Sequence, residues 1–245
     1  MESLLAVRGL TLRFGGITAL NDVSFDVAAG NITGLIGPNG AGKTTCFNCI
    51  TRLYQPTSGE VLFRGENLLK VRSHHVARRR IARTFQNVAL FDNMTVLDNV
   101  LIGSHVRFDD RAERHTETDA RREADRILAH LDLASLAKRP VRGLPFGTRK
   151  MIELARSLMP RPALLLLDEP AAGLNHDEVA ELGKVLTGVC RDFDTTILMV
   201  EHHMRLVMGI SNHIVVLASG KKLADGNPDE VQKNPAVIEA YLGAA

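Results

Sequence analysis

Residues 37–44 read GPNGAGKT, a G-x-x-x-x-G-K-T spacing that runs from Gly37 through Gly42 and Lys43 to Thr44. Its flanks decide how to read it. NITGLIG (31–37) carries the aliphatic and β-branched residues of a buried strand, and TTCFNCITRL (44–53) sets Phe47, Ile50 and Leu53 at helical spacing. Strand, glycine loop and helix in that order predict a cradle for polyphosphate. Glycines let successive backbone N–H groups turn inward without a Cβ in the way, and the helix beginning near Lys43 points its positive dipole end at the same place. Lys43 is expected to reach the β- and γ-phosphates, and the Thr44 hydroxyl to ligate a Mg²⁺ that bridges them.

The chain is long enough to bury such a cradle. With 245 residues, 45% of them hydrophobic and 24% charged, it fits one large α/β domain. A formal net charge of +2 gives no strong pull towards nucleic acid. The basic stretch HHVARRRIAR (74–83) lacks interleaved aromatics, so no nucleic-acid partner is expected. No apolar run approaches the roughly 20 residues of a spanning helix, and MESLLAVRGL lacks a basic region followed by a sustained apolar stretch; residence in the cytoplasm is the expectation. Cys46, Cys49 and Cys190 imply no disulfide framework. Cys46 and Cys49 are i, i+3 neighbours on the expected helix and are read as packing residues.

Leu10, Leu12 and Phe14, then Val23, Phe25 and Val27, then Val61 and Phe63 alternate like strands, with turns expected at Gly15–Gly16, Ala29–Gly30 and Ser58–Gly59. Between residues 93 and 159 helical patterns take over: MTVLDNVLIGSHV, the charged RFDDRAERHTETDARREADRILAHLDLASLA and TRKMIELARSLM. The mixed charges of the middle stretch read as a solvated helix face. Strands return at 163–168, at TTILMV (195–200) and at HIVVLA (213–218), with helix between them, as at 176–191. Alternating strand and helix predicts a mainly parallel α/β sheet. The core is expected at 1–92 and 160–245, interrupted by a helical subdomain at 93–159.

Hydrolysis needs more than a cradle. ALLLLDEP (163–170) delivers Asp168 and Glu169 to the C-terminal end of an apolar strand, where α/β ligand sites lie. Asp168 is expected to hold hydrated Mg²⁺, and Glu169 to act on the attacking water as base or positioning group. TTILMVEHH (195–203) repeats the device with Glu201 and His202, the latter able to donate to a γ-phosphate oxygen while neutral. RTFQ (83–86) delivers Gln86, whose amide suits Mg²⁺ or the water.

Taken together and in this order, the pieces resemble one family over nearly the whole chain, the ATP-binding-cassette (ABC) ATPases. GPNGAGKTT looks like the Walker A motif, Gln86 the Q-loop, LLLLDEP the Walker B motif with catalytic Glu169, and His202 the switch histidine. The resemblance implies a P-loop NTPase fold: a mainly parallel sheet core with an N-terminal antiparallel β part and an inserted helical subdomain. It implies ATP and Mg²⁺ as ligands, with nucleotide contacts from Gly37, Pro38, Asn39, Gly40, Ala41, Gly42, Lys43, Thr44 and Thr45 and metal contacts from Thr44, Gln86 and Asp168. Catalytic roles fall to Glu169, His202, Gln86 and Lys43. Phe14, in LRFGG, matches the aromatic that stacks on adenine.

The family's signature loop, usually L-S-G-G-Q, corresponds to Leu144, Pro145, Phe146, Gly147 and Thr148. Pro145 replaces a serine hydroxyl and brings no N–H. Leu144, Gly147, Thr148 and the following helix N-terminus remain as an anion site, which in this family completes the ATP site of a partner cassette. AAGLN (171–175) departs from S-A-L-D at Ala172 and Asn175. TTCFNCITRLYQPTSGEV, ARTFQNVALFDNMTVLDNV, DEPAAGLN, EHHMRLVMGIS and NPAVIEAYLG are most similar to cassettes of bacterial importers for branched-chain amino acids. That similarity implies a peripheral subunit on the cytoplasmic face of the inner membrane. It also implies a second cassette as partner, in a heterodimer or alternatively a homodimer, with membrane permease subunits and, indirectly, a solute-binding protein. NVALFDNMTV is then expected to line the groove for a permease coupling helix. Import of urea, amides or other amino acids is the alternative within the family. A soluble ABC ATPase of translation or DNA repair is the rival class, against which stand the single set of motifs and the lack of a coiled-coil insertion.

Overall fold

The alternation in the first third becomes an antiparallel sheet. In the computed structural model, which describes residues 3–105 and 116–242, β1 (Ser3–Phe14) turns at Gly15–Gly16 into β2 (Ile17–Ala28). The chain then enters a second sheet as β3 (Ile32–Ile36), forms the glycine loop and α1 (Lys43–Ile50), and returns as β4 (Ser58–Phe63) and the short β5 (Glu66–Asn67). The first sheet has the order β2-β1-β4-β5. Ser58–Gly59 is not the turn expected from the sequence: both residues belong to β4, at a shift in its register with β1. The α1 helix also stops earlier than expected. Arg52 takes a left-handed φ of 63°, and Leu53 is exposed instead of continuing the apolar stripe.

Short 3₁₀ turns carry the basic stretch at 74–80 into β6 (Ile81–Arg83). The inserted region supplies α2 (Val96–Leu101), α3 (Glu117–His130) and α4 (Phe146–Leu158). The charged run expected to be helical from 107 onwards lies outside the described residues as far as 115. From there Thr116 and Asp119 close a capping box on α3, which buries Ala120, Ala124, Ile127 and Leu128. The core resumes with β7 (Leu164–Asp168), α5 (His176–Asp192), β8 (Thr196–Val200), α6 (Met204–Ile210), β9 (His213–Ala218), β10 (Lys221–Gly226), α7 (Pro228–Lys233) and α8 (Pro235–Leu242).

The second sheet has the order β10-β9-β3-β8-β7-β6, all parallel except the edge strand β10. Its strands read as unbroken apolar runs because both faces are covered. Leu165, Leu167, Ile197, Met199, Ile214 and Val216 face the helices, whereas Leu164, Leu166, Leu198, Val200, Val215 and Leu217 face the first sheet. Each such side chain contributes about 1.5–3 kcal/mol by leaving water. The α1 helix is wedged between the two sheets through Cys46, Phe47, Cys49 and Ile50, all fully buried. The two cysteines therefore pack, as read from the sequence.

Candidate active site

Parallel strands bring their C-terminal ends to one edge, and that edge carries the chemistry. β3 runs into the glycine loop, β7 ends in Asp168 and Glu169, β8 leads to Glu201 and His202, and β6 leads to Gln86. A cleft of about 430 Å³ opens there, lined by Asn39, Gly40, Ala41, Gly42, Lys43, Thr44, Thr45, Glu169 and His202, together with Thr18, Ala19 and Gly220.

The loop needs glycine at two points. Gly37 has φ 149°, and a Cβ there would stand 2.1 Å from the carbonyl oxygen of Leu217; Gly42 has φ 100°, and a Cβ would meet Ala19 O and Leu20 Cδ2, each at 2.8 Å. Gly42 is also the N-cap of α1, so no side chain competes for the free amides of its first turn. Lys43 is 6% exposed, and its Nζ donates to the carbonyls of Gly37 (2.7 Å) and Pro38 (2.9 Å). Burial lowers its pKa, against the opposing pull of Glu169 and Asp168.

Glu169 is the hub. Its Oε2 accepts from the Gln86 amide at 2.8 Å, and its Oε1 lies 2.7 Å from His202 Nε2. The backbone of Glu169 has φ 50°, a conformation costly for a residue with a Cβ, and is held by its N–H to the Val200 carbonyl at 2.9 Å. Three of the four catalytic residues read from the sequence thus meet at one carboxylate. Lys43 lines the same cleft.

Asp168 is 5% exposed and has a partner that sequence reading missed. Arg83 Nη2 donates to its Oδ2 at 2.8 Å, while Nη1 reaches Asn48 Oδ1 (2.8 Å) and Thr51 Oγ1 (3.1 Å) on and just beyond α1. Phe47 and Phe85 flank the guanidinium. Arg83 lies in the quoted RTFQ, yet nothing local signals a contact with a residue so distant in the chain. The Asp168 carboxylate and the Thr44 hydroxyl are hard oxygen donors of the kind Mg²⁺ takes one or two at a time, the rest of its shell being water and substrate phosphates.

Phe14 ends β1, is half exposed, and stands edge-on to Tyr54 with centroids 5.3 Å apart. It is not a core residue. Leu144 is buried in the core, Pro145 is the N-cap of α4 without a side-chain cap bond, and Gly147 and Thr148 lie in the first turn of that helix. Phe146 is exposed but covers Gly173, so the 144–148 segment packs on the 171–175 loop. Asn175 has a structural reason: its Oδ1 accepts from the amides of Asp177 and Glu178, and with Glu178 it forms a capping box on α5.

Comparison with known proteins agrees with this arrangement. Residues 20–172 match the ABC transporter family, and residues 221–245 match the family described as branched-chain amino acid ATP-binding cassette transporter. The chain is 43% identical to the high-affinity branched-chain amino acid transport ATP-binding protein BraF of Pseudomonas aeruginosa, covering 99% of this chain and 98% of that one. It is 42% identical to LivG of Escherichia coli K12, covering 100% and 99%. A solved ATP-binding cassette of an ABC transporter in its ADP conformation superposes with a TM-score of 0.89 at 29% identity, covering 99% of this chain and 100% of that one. Motif order, the shared cleft and full-length similarity agree, and the chain belongs to the ABC transporter family as an ATP-binding subunit closely related to LivG and BraF.

Proposed function

We propose that this subunit hydrolyses ATP to drive import of branched-chain amino acids, working on the cytoplasmic face of a membrane permease, beside a second cassette and fed by a solute-binding protein. The observation that carries the chemistry is the meeting of Lys43, Glu169 and His202 on one cleft at the end of a parallel sheet. The substrate class is supported by the names of the full-length relatives and by the family matched at the C-terminal end. No helix among the described residues is long and apolar enough to cross a membrane, so transport needs a separate permease. The exposed Phe91, whose backbone is gripped at N–H and carbonyl by the Asn99 side chain, offers a firm apolar contact for it.

The loop amides and Lys43 bind the β- and γ-phosphates, with Phe14 against the base. Mg²⁺, when bound with the nucleotide, neutralises charge on the phosphates; Thr44, Asp168 and Gln86 are the residues that would hold it. Glu169 aligns water and takes its proton, while His202 and Gln86 hold the carboxylate in register. Gly147 and Thr148 offer a second helix N-terminus to the partner's nucleotide, whereas Leu144, expected from the sequence to share in that contact, is buried in the core and anchors the segment instead. Closure around ATP and opening after hydrolysis then move the permease.

The test is ATP-dependent uptake of labelled leucine, isoleucine and valine in cells carrying this chain or Glu169→Gln. Uptake that is lost in the mutant, whose protein still binds ATP, is the expected result. Uptake of urea or short amides in place of these amino acids would reassign the substrate, and normal hydrolysis by Glu169→Gln would remove Glu169 from its role.

A further inference from the structure

Glu201 is 2% exposed, and every hydrogen bond it makes is to backbone amides. Its Oε1 accepts from the N–H of Ala171 at 2.6 Å, two residues beyond Glu169. Its Oε2 accepts from the N–H of His202 at 2.8 Å and of His203 at 2.9 Å. One carboxylate therefore bridges the loop that carries the catalytic acid and the loop that carries the switch histidine. On the other side of the same turn Lys150, 8% exposed, donates from Nζ to the carbonyls of Glu169 and Pro170, each at 2.9 Å. Lys150 lies on α4, one turn beyond Phe146.

We propose that Glu201 and Lys150 are positioning residues that clamp the 169–171 turn from opposite sides, so that the 144–148 segment, Glu169 and His202 move as one unit within a protomer. Neither side chain reaches into the cleft. Their contact is with the backbone that aims Glu169 and His202, including the left-handed φ at Glu169 that needs holding. Each charge matches the backbone groups it meets. The lysine takes two carbonyls, the carboxylate takes three amides, and the carboxylate partly offsets the lysine's burial. A threonine or serine at 201 could serve one loop but is too short to bridge two.

Glu201→Gln tests this with little change of shape, because a neutral amide turns one of its two ends from acceptor to donor and must face an N–H on one loop. The clamp rests on the reading of the cleft given above, so Glu169→Gln is run in parallel; turnover by that variant would overturn the reading of the cleft, whatever Glu201→Gln does. With purified full-length protein, kcat of Glu201→Gln is expected to fall about ten-fold or more, while the Kd for ADP stays within about two-fold. The preference for ATP over ADP shrinks, because only the γ-phosphate is served by His202. Lys150→Met gives the same pattern, and Lys150→Arg, which retains the donors, recovers most of the rate. Unchanged kcat in Glu201→Gln would overturn the proposal. So would parallel loss of ADP and ATP binding with a collapse in Tm across Glu201→Gln and Lys150→Met, which would make both residues structural only.

Discussion

Two helices of this protein are read from the sequence as anion sites at their N-termini, and they are equipped differently. At α1 the loop folds around its own amides, Lys43 is at hand, and Asp168, Glu169 and His202 stand at the neighbouring strand ends. At α4 the cap is Pro145, which makes no side-chain cap bond, the adjoining Phe146 is exposed, and the carboxylate close to Gly147, that of Glu178, is tied to the cap of α5 through the Asn175 N–H. Both ends attract phosphate through the same dipole and free amides. Only the first can also move a proton. On the function proposed above, the difference teaches that the first end would be the reaction site and the second a binding surface for a partner cassette's nucleotide.

The sharpest way to break that comparison is to disarm the first end. His202→Ala removes a partner of Glu169 and is expected to lower kcat by about 10²-fold or more with KM little altered, measured as phosphate release. Equal loss from Gly147→Ala in the isolated subunit would erase the distinction between the two ends. A second test goes beneath the reaction site. Arg83→Met leaves Asp168 buried without its ion-pair partner and is expected to cost about 3–5 kcal/mol in urea unfolding. Arg83→Lys should recover part of that, being unable to reach Asp168, Asn48 and Thr51 together.

The caps give a finer comparison. Asn175→Ala removes a capping box from α5 and is expected to cost about 1 kcal/mol, whereas Pro145→Ser adds a hydroxyl cap to α4 and stabilises it by up to about 1 kcal/mol. Chemical denaturation measures both. The smallest effect lies inside the wedge of α1. Burial pushes the Cys46 thiol far above its ordinary range and Cys49 up to about 11, so at pH 8 both remain protonated. Iodoacetamide should leave them unlabelled in the native protein and modify them on unfolding; rapid native labelling would show that the wedge opens.

What could be read in the sequence was whatever the chain states locally. The glycine loop, the acids after ALLLL and the histidine after TTILMV each depend on a strand ending in a polar tip, and all reach the same edge because parallel strands end together. Leu53 misled because its helical spacing said nothing of the left-handed Arg52 before it. Asn175 read as a lost carboxylate, whereas in the fold it is a cap, a role decided by its own backbone and the next three residues. Arg83 with Asp168, and Glu201 with Ala171, were not legible at all, since each pair forms only when separate strands are laid side by side.

Lys43 already has two oxygen partners of its own, the carbonyls of Gly37 and Pro38. A phosphate that enters the loop therefore exchanges bonds with the protein instead of meeting an unsatisfied ammonium, and the net gain is smaller than the contacts suggest. The same exchange runs in reverse after the terminal phosphate has been cut off. On the proposed function, the loop's carbonyls would reclaim the lysine as the diphosphate leaves, so that release of product, often the slow step of an enzyme, would be helped by the cradle itself.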